Sequence, residues 1–283
     1  MSTPLGVTER HRKQQLDIVS RVLRLLLPIT ASLQAAFRPE DRTITPADWL
    51  DLSLQTILSG RDESLAAGYD YYRRVSYAAT GSTDVPVLDD IRTEPNIEQL
   101  RVSLLVTGPG VYRRKLTEGA TEQQALRAAQ SAVMGAATRH ILDGSRSLTN
   151  QAVRADKKAR GWIRVTDGDP CAFCAMLATR GFAVLRKETG AGLYTSEETA
   201  GARANTRFIG DGSFKFHDHC GCTVMPVFGD NFELPANAEK WDKLYHDSTA
   251  SYTGEDKLKA WRRAYRQFQK ETKSADTDEP TSS

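Results

Sequence analysis

The residues of this 283-residue chain best suited to chemistry fall in two short segments. One reads "GDPCAFCAML" at 168–177 and the other "KFHDHCGCTVMPVF" at 215–228; together they hold all four cysteines, Cys171, Cys174, Cys220 and Cys222. Cys171-x-x-Cys174 has knuckle spacing, which lets two thiolates on a tight turn reach one tetrahedral ion at ~2.3 Å each. His217-x-x-Cys220 repeats that spacing. Cys220 and Cys222 stand two apart, so an extended strand points both to one face and sends His217 and His219 to the other. Five donors thus compete for four positions: Cys171, Cys174, His217, Cys220 and Cys222. His219 reads as a supporting or surface residue. The pattern favours a zinc ion held by the first thiol pair, Cys222, and either Cys220 or His217.

Energetics favour metal over a covalent staple. A structural zinc contributes roughly 10–16 kcal/mol of apparent binding energy coupled to folding. A disulfide closing a loop of this length would give ~4 kcal/mol, and four thiols without a secretory leader suggest a reducing compartment that opposes it. A catalytic rival is the zinc deaminase signature, whose P-C-x-x-C half appears as Pro170-Cys171-x-x-Cys174. That chemistry also needs H-x-E upstream, and His140 is followed by Ile141 and Leu142. A histidine-metal nuclease built on "HDH" is a second rival. Once the cysteines close a metal site, no clear second cluster remains to hold its catalytic ion. G-x-S-x-G and H-E-x-x-H are both absent, so neither a serine nor a zinc protease has its motif.

The elements that must position these residues read as mainly α, with a small α+β region toward the C-terminus. Composition is ordinary for a globular chain, 40% hydrophobic and 26% charged with a net charge of +2, so any basic surface must be local. The start lacks the layout of a secretory signal. The apolar run around residue 25 is broken by Arg24 and Pro28 and is far short of the ~20 residues a membrane span needs. Leu16, Val19, Leu23 and Leu26, then Leu33 and Phe37 beyond Pro28, suggest one buried stripe. Thr45 and Pro46 open a second helix that Gly60 should end, and a third ends at Gly81. The segments at 81–90 and "TGPG" at 107–110 read as connectors. Thr121 and Gln124 form a capping box for an Ala-rich helix that Gly144 should end, with another helix following to residue 161. "WIRVT" and "CTVMPVF" have strand character, and residues 181–212, including "GAGLYTSEE", read as a long loop. This gives a helical N-terminal part at 1–110, the cysteine-bearing domain at 111–230, a helical extension at 231–271 and a disordered tail at 272–283.

With those motifs in view, residues from about 121 to 228 resemble the phage Mu F-like family of minor head, or head morphogenesis, proteins. The resemblance rests on "GWIRVTDGDPCAFCAML", on His217-Asp218-His219-Cys220-Gly221-Cys222 leading into a strand, and on the preceding helix "TEQQALRAAQSAVMGAATRHILDG". It is especially similar to the versions found in tailed phages and prophages of actinobacteria. Phe216 and Gly221 stand where that family more often has proline and arginine. The resemblance implies a non-enzymatic virion component at the portal vertex inside the capsid, made in the host cytoplasm, with portal and coat proteins as partners. It implies no membrane and no small-molecule substrate. Some relatives are described as capsid maturation proteases.

The last helix, at about 255–270, sets Leu258, Trp261, Tyr265 and Phe268 on one face and Arg262, Arg263, Arg266 and Lys270 on another. The basic face suits packaged DNA or an acidic portal surface, although most charge runs serve as solvated faces. Trp261 and Tyr265 read as core. His11, His140 and His246 are isolated and read as surface or core residues.

Overall fold

The computed structural model describes residues 2–36, 44–87, 91, 94–166, 168–185, 216–230 and 232–277. The order is α1 (Pro4–Ala31), α2 (Leu33–Ala36), α3 (Pro46–Thr80), α4 (Ile97–Leu105), a π-turn (Val106–Gly110), α5 (Val111–Thr117), α6 (Glu122–Ala155), β1 (Gly161–Val165), α7 (Ala172–Leu185), β2 (Thr223–Val227), α8 (Ala236–Thr249) and α9 (Gly254–Thr277). The chain is mainly helical with a two-stranded sheet, the fold class expected. Among the described residues no helix is long and apolar enough to cross a membrane. Phe37 and most of the expected loop at 181–212 lie outside the described residues, although 181–185 belong to α7.

Capping chemistry starts the two longest helices. The Thr45 hydroxyl accepts from the Asp48 N–H while the Asp48 carboxylate accepts from the Thr45 N–H, and Thr121 and Gln124 repeat this reciprocal pair. Glycine is where sequence and structure part. Gly81 does close α3, with φ of 70° and open space around it. Gly60 and Gly144 end nothing. They lie inside continuous helices of 35 and 34 residues, at points where neighbours come too near for a side chain. A Cβ on Gly60 would sit 2.6 Å from Val22 Cγ2, and one on Gly144 would sit 2.4 Å from the Arg61 carbonyl oxygen. "TGPG" is likewise no connector. The helical path runs through it as a π-turn that accommodates Pro109, and Gly108 lies against the Trp49 ring.

Helices α1, α3 and α6 pack side by side, and Ile18, Val22, Leu26, Ile57, Val133 and Ile141 meet in the main core. The buried stripe of α1 is centred on Ile18 and Val22, with Leu16 and Leu23 at its half-buried margin. Toward the N-terminus the stripe turns polar. His11 stacks on Tyr71, ring centroids 4.0 Å apart, and its Nε2 lies 2.8 Å from Ser145 Oγ. Gln15 bonds to Ser64 through both ends of its amide. The Tyr71 hydroxyl donates to the Val224 carbonyl at 2.8 Å, tying the helical layer to β2.

His11 Nδ1 and His140 Nε2 are buried with no hydrogen-bond partner among the described residues. Burial holds both rings neutral, with pKa values near 3. The unfolded chain binds these protons near pH 6.5 and the folded chain does not, so stability is full above that pH. It should fall by about 1.4 kcal/mol per unit for each ring as pH drops from ~6.5 toward 3. Urea midpoints measured from pH 7.5 to 5 should show this slope, and a His11→Gln/His140→Gln variant should flatten it.

The strands are antiparallel, with Gly161 opposite Val227 and Arg164 opposite Val224. Period-2 alternation divides their side chains. Ile163, Val165, Met225 and Val227 join Val7, Tyr71 and Val75 on one side, while Trp162 and Val224 face the cysteines on the other. Helices α7, α8 and α9 form a third layer around Ala175, Ala178, Trp241, Trp261 and Tyr265. Only one helix of the C-terminal extension is foreseen from sequence, whereas α8 precedes it and α9 runs seven residues past Lys270, to Thr277.

Candidate metal centre

The short sheet brings the two thiol segments together. Cys171 follows β1 by one brief turn and caps α7: its Sγ accepts from the Cys174 N–H at 3.4 Å and its carbonyl from Ala175 N–H at 3.0 Å. A helix N-terminus favours anionic sulfur at that position. Cys174 lies in the first turn of α7, and Cys220 and Cys222 lie just ahead of β2. The segment at 217–222 is not a straight strand. His217–Cys220 closes a turn, and His219 adopts a left-handed φ of 63°. That bend separates the two histidines. His217 swings toward the thiols, while His219 packs on α6 over Gly135, where a Cβ would lie 2.4 Å from its Nε2.

All five sequence-derived donors gather in one place, as two groups with Cys174 common to both. Cys171, Cys174 and His217 form one group and Cys174, Cys220 and Cys222 the other; in each, the ligand atoms lie within 4.8 Å of one another. Cys174 Sγ is 3.5 Å from Cys220 Sγ and 3.5 Å from His217 Nε2. A tetrahedron with ~2.3 Å bonds to sulfur has edges of about 3.8 Å, so these separations suit a single ion. Cys171 Sγ lies closer to His217 Nε2, at 2.8 Å, as a direct hydrogen bond. His217 Nδ1 donates to the Asp218 carbonyl at 2.6 Å, which leaves Nε2 to face sulfur, the usual arrangement behind a ligating imidazole.

The thiols share protons among themselves. Its hydrogen bond with Cys174, then that with His217, hold Cys171 down at about 4 despite burial. His217 rises to about 9, chiefly through Cys171. Hydrogen bonds with Cys174 and Cys222 push Cys220 far below the usual thiol range, and hydrogen bonds with Cys171 and Cys220 push Cys174 far above it. Against the downward pull of Cys174, the bond with Cys220 and burial raise Cys222 to about 12. The cluster is therefore partly anionic, as a cation site requires.

Residues that sequence reasoning missed brace the two thiol segments. Arg146 of α6 and Arg164 of β1 are 3% and 2% exposed, and both lie over the Phe216 ring, at 3.8 and 3.9 Å from its centroid. Arg146 donates to the Cys220 carbonyl at 2.7 Å and from Nε to the Cys222 carbonyl at 3.1 Å. Arg164 Nη1 lies 3.4 Å from Cys174 Sγ. Burial lowers the pKa of Arg146 and the neighbouring Cys220 and Cys222 sulfurs offset this. Two turns back along α6 Arg139 pairs with Asp218 at 2.8 Å, and three turns back the Gly135 carbonyl accepts from His219 N–H at 3.2 Å. Gly135, Arg139 and Arg146 thus form a stripe that fixes the 216–222 loop. Alternation of Trp162 and Arg164 in "WIRVT" was the one available signal, since it puts Arg164 on the same face as a core tryptophan.

This donor set can hold a soft, tetrahedral metal ion. His11 and His140 are buried in the helical layer and His246 pairs with Asp242 on α8. No curated protein and no solved structure matches the chain. A family model does, the one described as VG15 protein, over residues 8–248. That span takes in the three packed helices, the sheet and all five donors, and the chain accordingly belongs to the VG15 protein family, a family of phage virion genes.

Proposed function

We propose that the chain is a minor head protein of the Mu F-like, head-morphogenesis type, located inside the capsid at the portal vertex, with zinc as its structural staple. The observation that carries the reading is the convergence of C-x-x-C and H-x-x-C-x-C on one point between β1–α7 and the segment entering β2. Cys171, Cys174 and Cys220 would hold the ion together with His217 or Cys222. Bound there, zinc supplies charge neutralisation and a cross-link, with no reaction of its own. Five donors exceed the four positions of a closed structural site, which leaves no place for the open water position that catalysis uses. This favours a structural role over a protease or nuclease. Family membership supports a virion setting, and portal and coat proteins are the partners the reading requires.

The test is assembly. Procapsids built from coat and portal should retain a few copies of the chain, and procapsids built without portal should retain none. Equal retention in both, or retention in neither, would overturn the portal assignment.

A further inference from the structure

Helix α9 begins at Gly254, beyond residue 248 where the family match ends. We infer that it is an arm that holds duplex DNA by its phosphates, presented by the metal centre. Lys259, Arg262, Arg263, Arg266 and Lys270 are exposed and recur at three- and four-residue spacing, so they lie along one face. At 1.5 Å per residue the stripe is about 16 Å long. Lys259 pairs with Asp256 at 3.0 Å, whereas Arg262, Arg263 and Arg266 have no acidic partner among the described residues. Guanidinium forks suit phosphate oxygens, and a chain of net charge +2 has little other long-range attraction for a polyanion.

The other face of α9 explains both the rigidity and the choice of duplex. Trp261 Nε1 donates to the Ala172 carbonyl at 2.6 Å, Tyr265 OH to the Pro170 carbonyl at 2.6 Å, and Gln269 Nε2 to Asp169 Oδ1 at 2.8 Å. These residues, four apart, grip the turn that carries Cys171. The helix is therefore docked on one knuckle of the metal centre with its basic stripe turned outward. Both aromatic rings are 1% exposed, and no ring lies within the stripe. A single-strand site stacks bases on aromatic side chains, and this surface offers none, so it reads backbone and not bases.

The experiment uses the full chain with a labelled random-sequence duplex of ~30 base pairs and the matching single strand, followed by anisotropy from 50 to 200 mM salt. Duplex binding should be the tighter, and log K should fall with log salt no more steeply than about −4.5, the value for five phosphates. Arg262→Glu/Arg266→Glu should weaken binding by at least tenfold while zinc content and circular dichroism stay unchanged; Arg74→Glu, on α3, should not weaken it. Unchanged binding by the reversed variant, or tighter binding of the single strand, would overturn the inference. So would loss of portal retention in that variant without any DNA binding by the wild type, because the stripe would then serve an acidic protein surface. The inference goes beyond the portal reading: normal portal retention with no DNA affinity would sink it alone.

Discussion

Cys174→Ser should release the metal and loosen residues 161–185 and 216–228 together, leaving the α1–α3–α6 core folded. Cys174 is the one donor common to both groups, so its loss cripples either choice of four ligands that includes it. For the zinc proposed above, the energy at stake is roughly 10–16 kcal/mol, more than most domains have in total. The buried apolar residues around the cysteines, chiefly Tyr72, Val153, Trp162, Phe216 and Val224, are few for a region that must also close over two guanidinium groups. The main core shares none of them. Limited proteolysis should therefore cut the variant between 161 and 228 while the N-terminal helices resist, and equal protection of variant and wild type would refute this. Replacing His217 or Cys222 should do less, because one of the five donors is surplus.

Arg146→Met ranks second, at about 4–8 kcal/mol. The substitution keeps the length of the stem but removes the guanidinium donors to the Cys220 and Cys222 carbonyls. Each buried acceptor left without a partner costs about 1–3 kcal/mol, and the desolvated cation over Phe216 adds roughly 2. The bent segment that delivers His217, Cys220 and Cys222 is held by these bonds, so metal retention should weaken too. Urea denaturation combined with chelator competition checks both effects, and unchanged values for each would show that Arg146 does not support the site.

How far the sequence foretold this arrangement depends on the kind of signal. Donor chemistry was legible because thiols at knuckle spacing have few other uses, and all five candidate donors do meet. Helix starts at Thr45 and Thr121 were legible because capping is local. Glycine was ambiguous. Gly81 frees a left-handed backbone, while Gly60, Gly108 and Gly144 make room for a neighbouring residue, and only the tertiary contact tells the two uses apart. The positive φ at His219 was equally hidden, although it is what brings His217 to the thiols against the strand-based expectation. The Arg146–Phe216–Arg164 contact joins α6, β1 and the segment ahead of β2, and no local pattern reports such a meeting.

The central claim is that one ion joins the Cys171–Cys174 turn to the His217–Cys222 segment. Native mass spectrometry of the intact chain, paired with metal analysis and thiol titration, tests it most directly. The account predicts one zinc per folded chain, lost on unfolding, with the thiols shielded until a chelator is added. A folded chain that carries no metal after purification with zinc present, and whose four thiols all react at once, would contradict it.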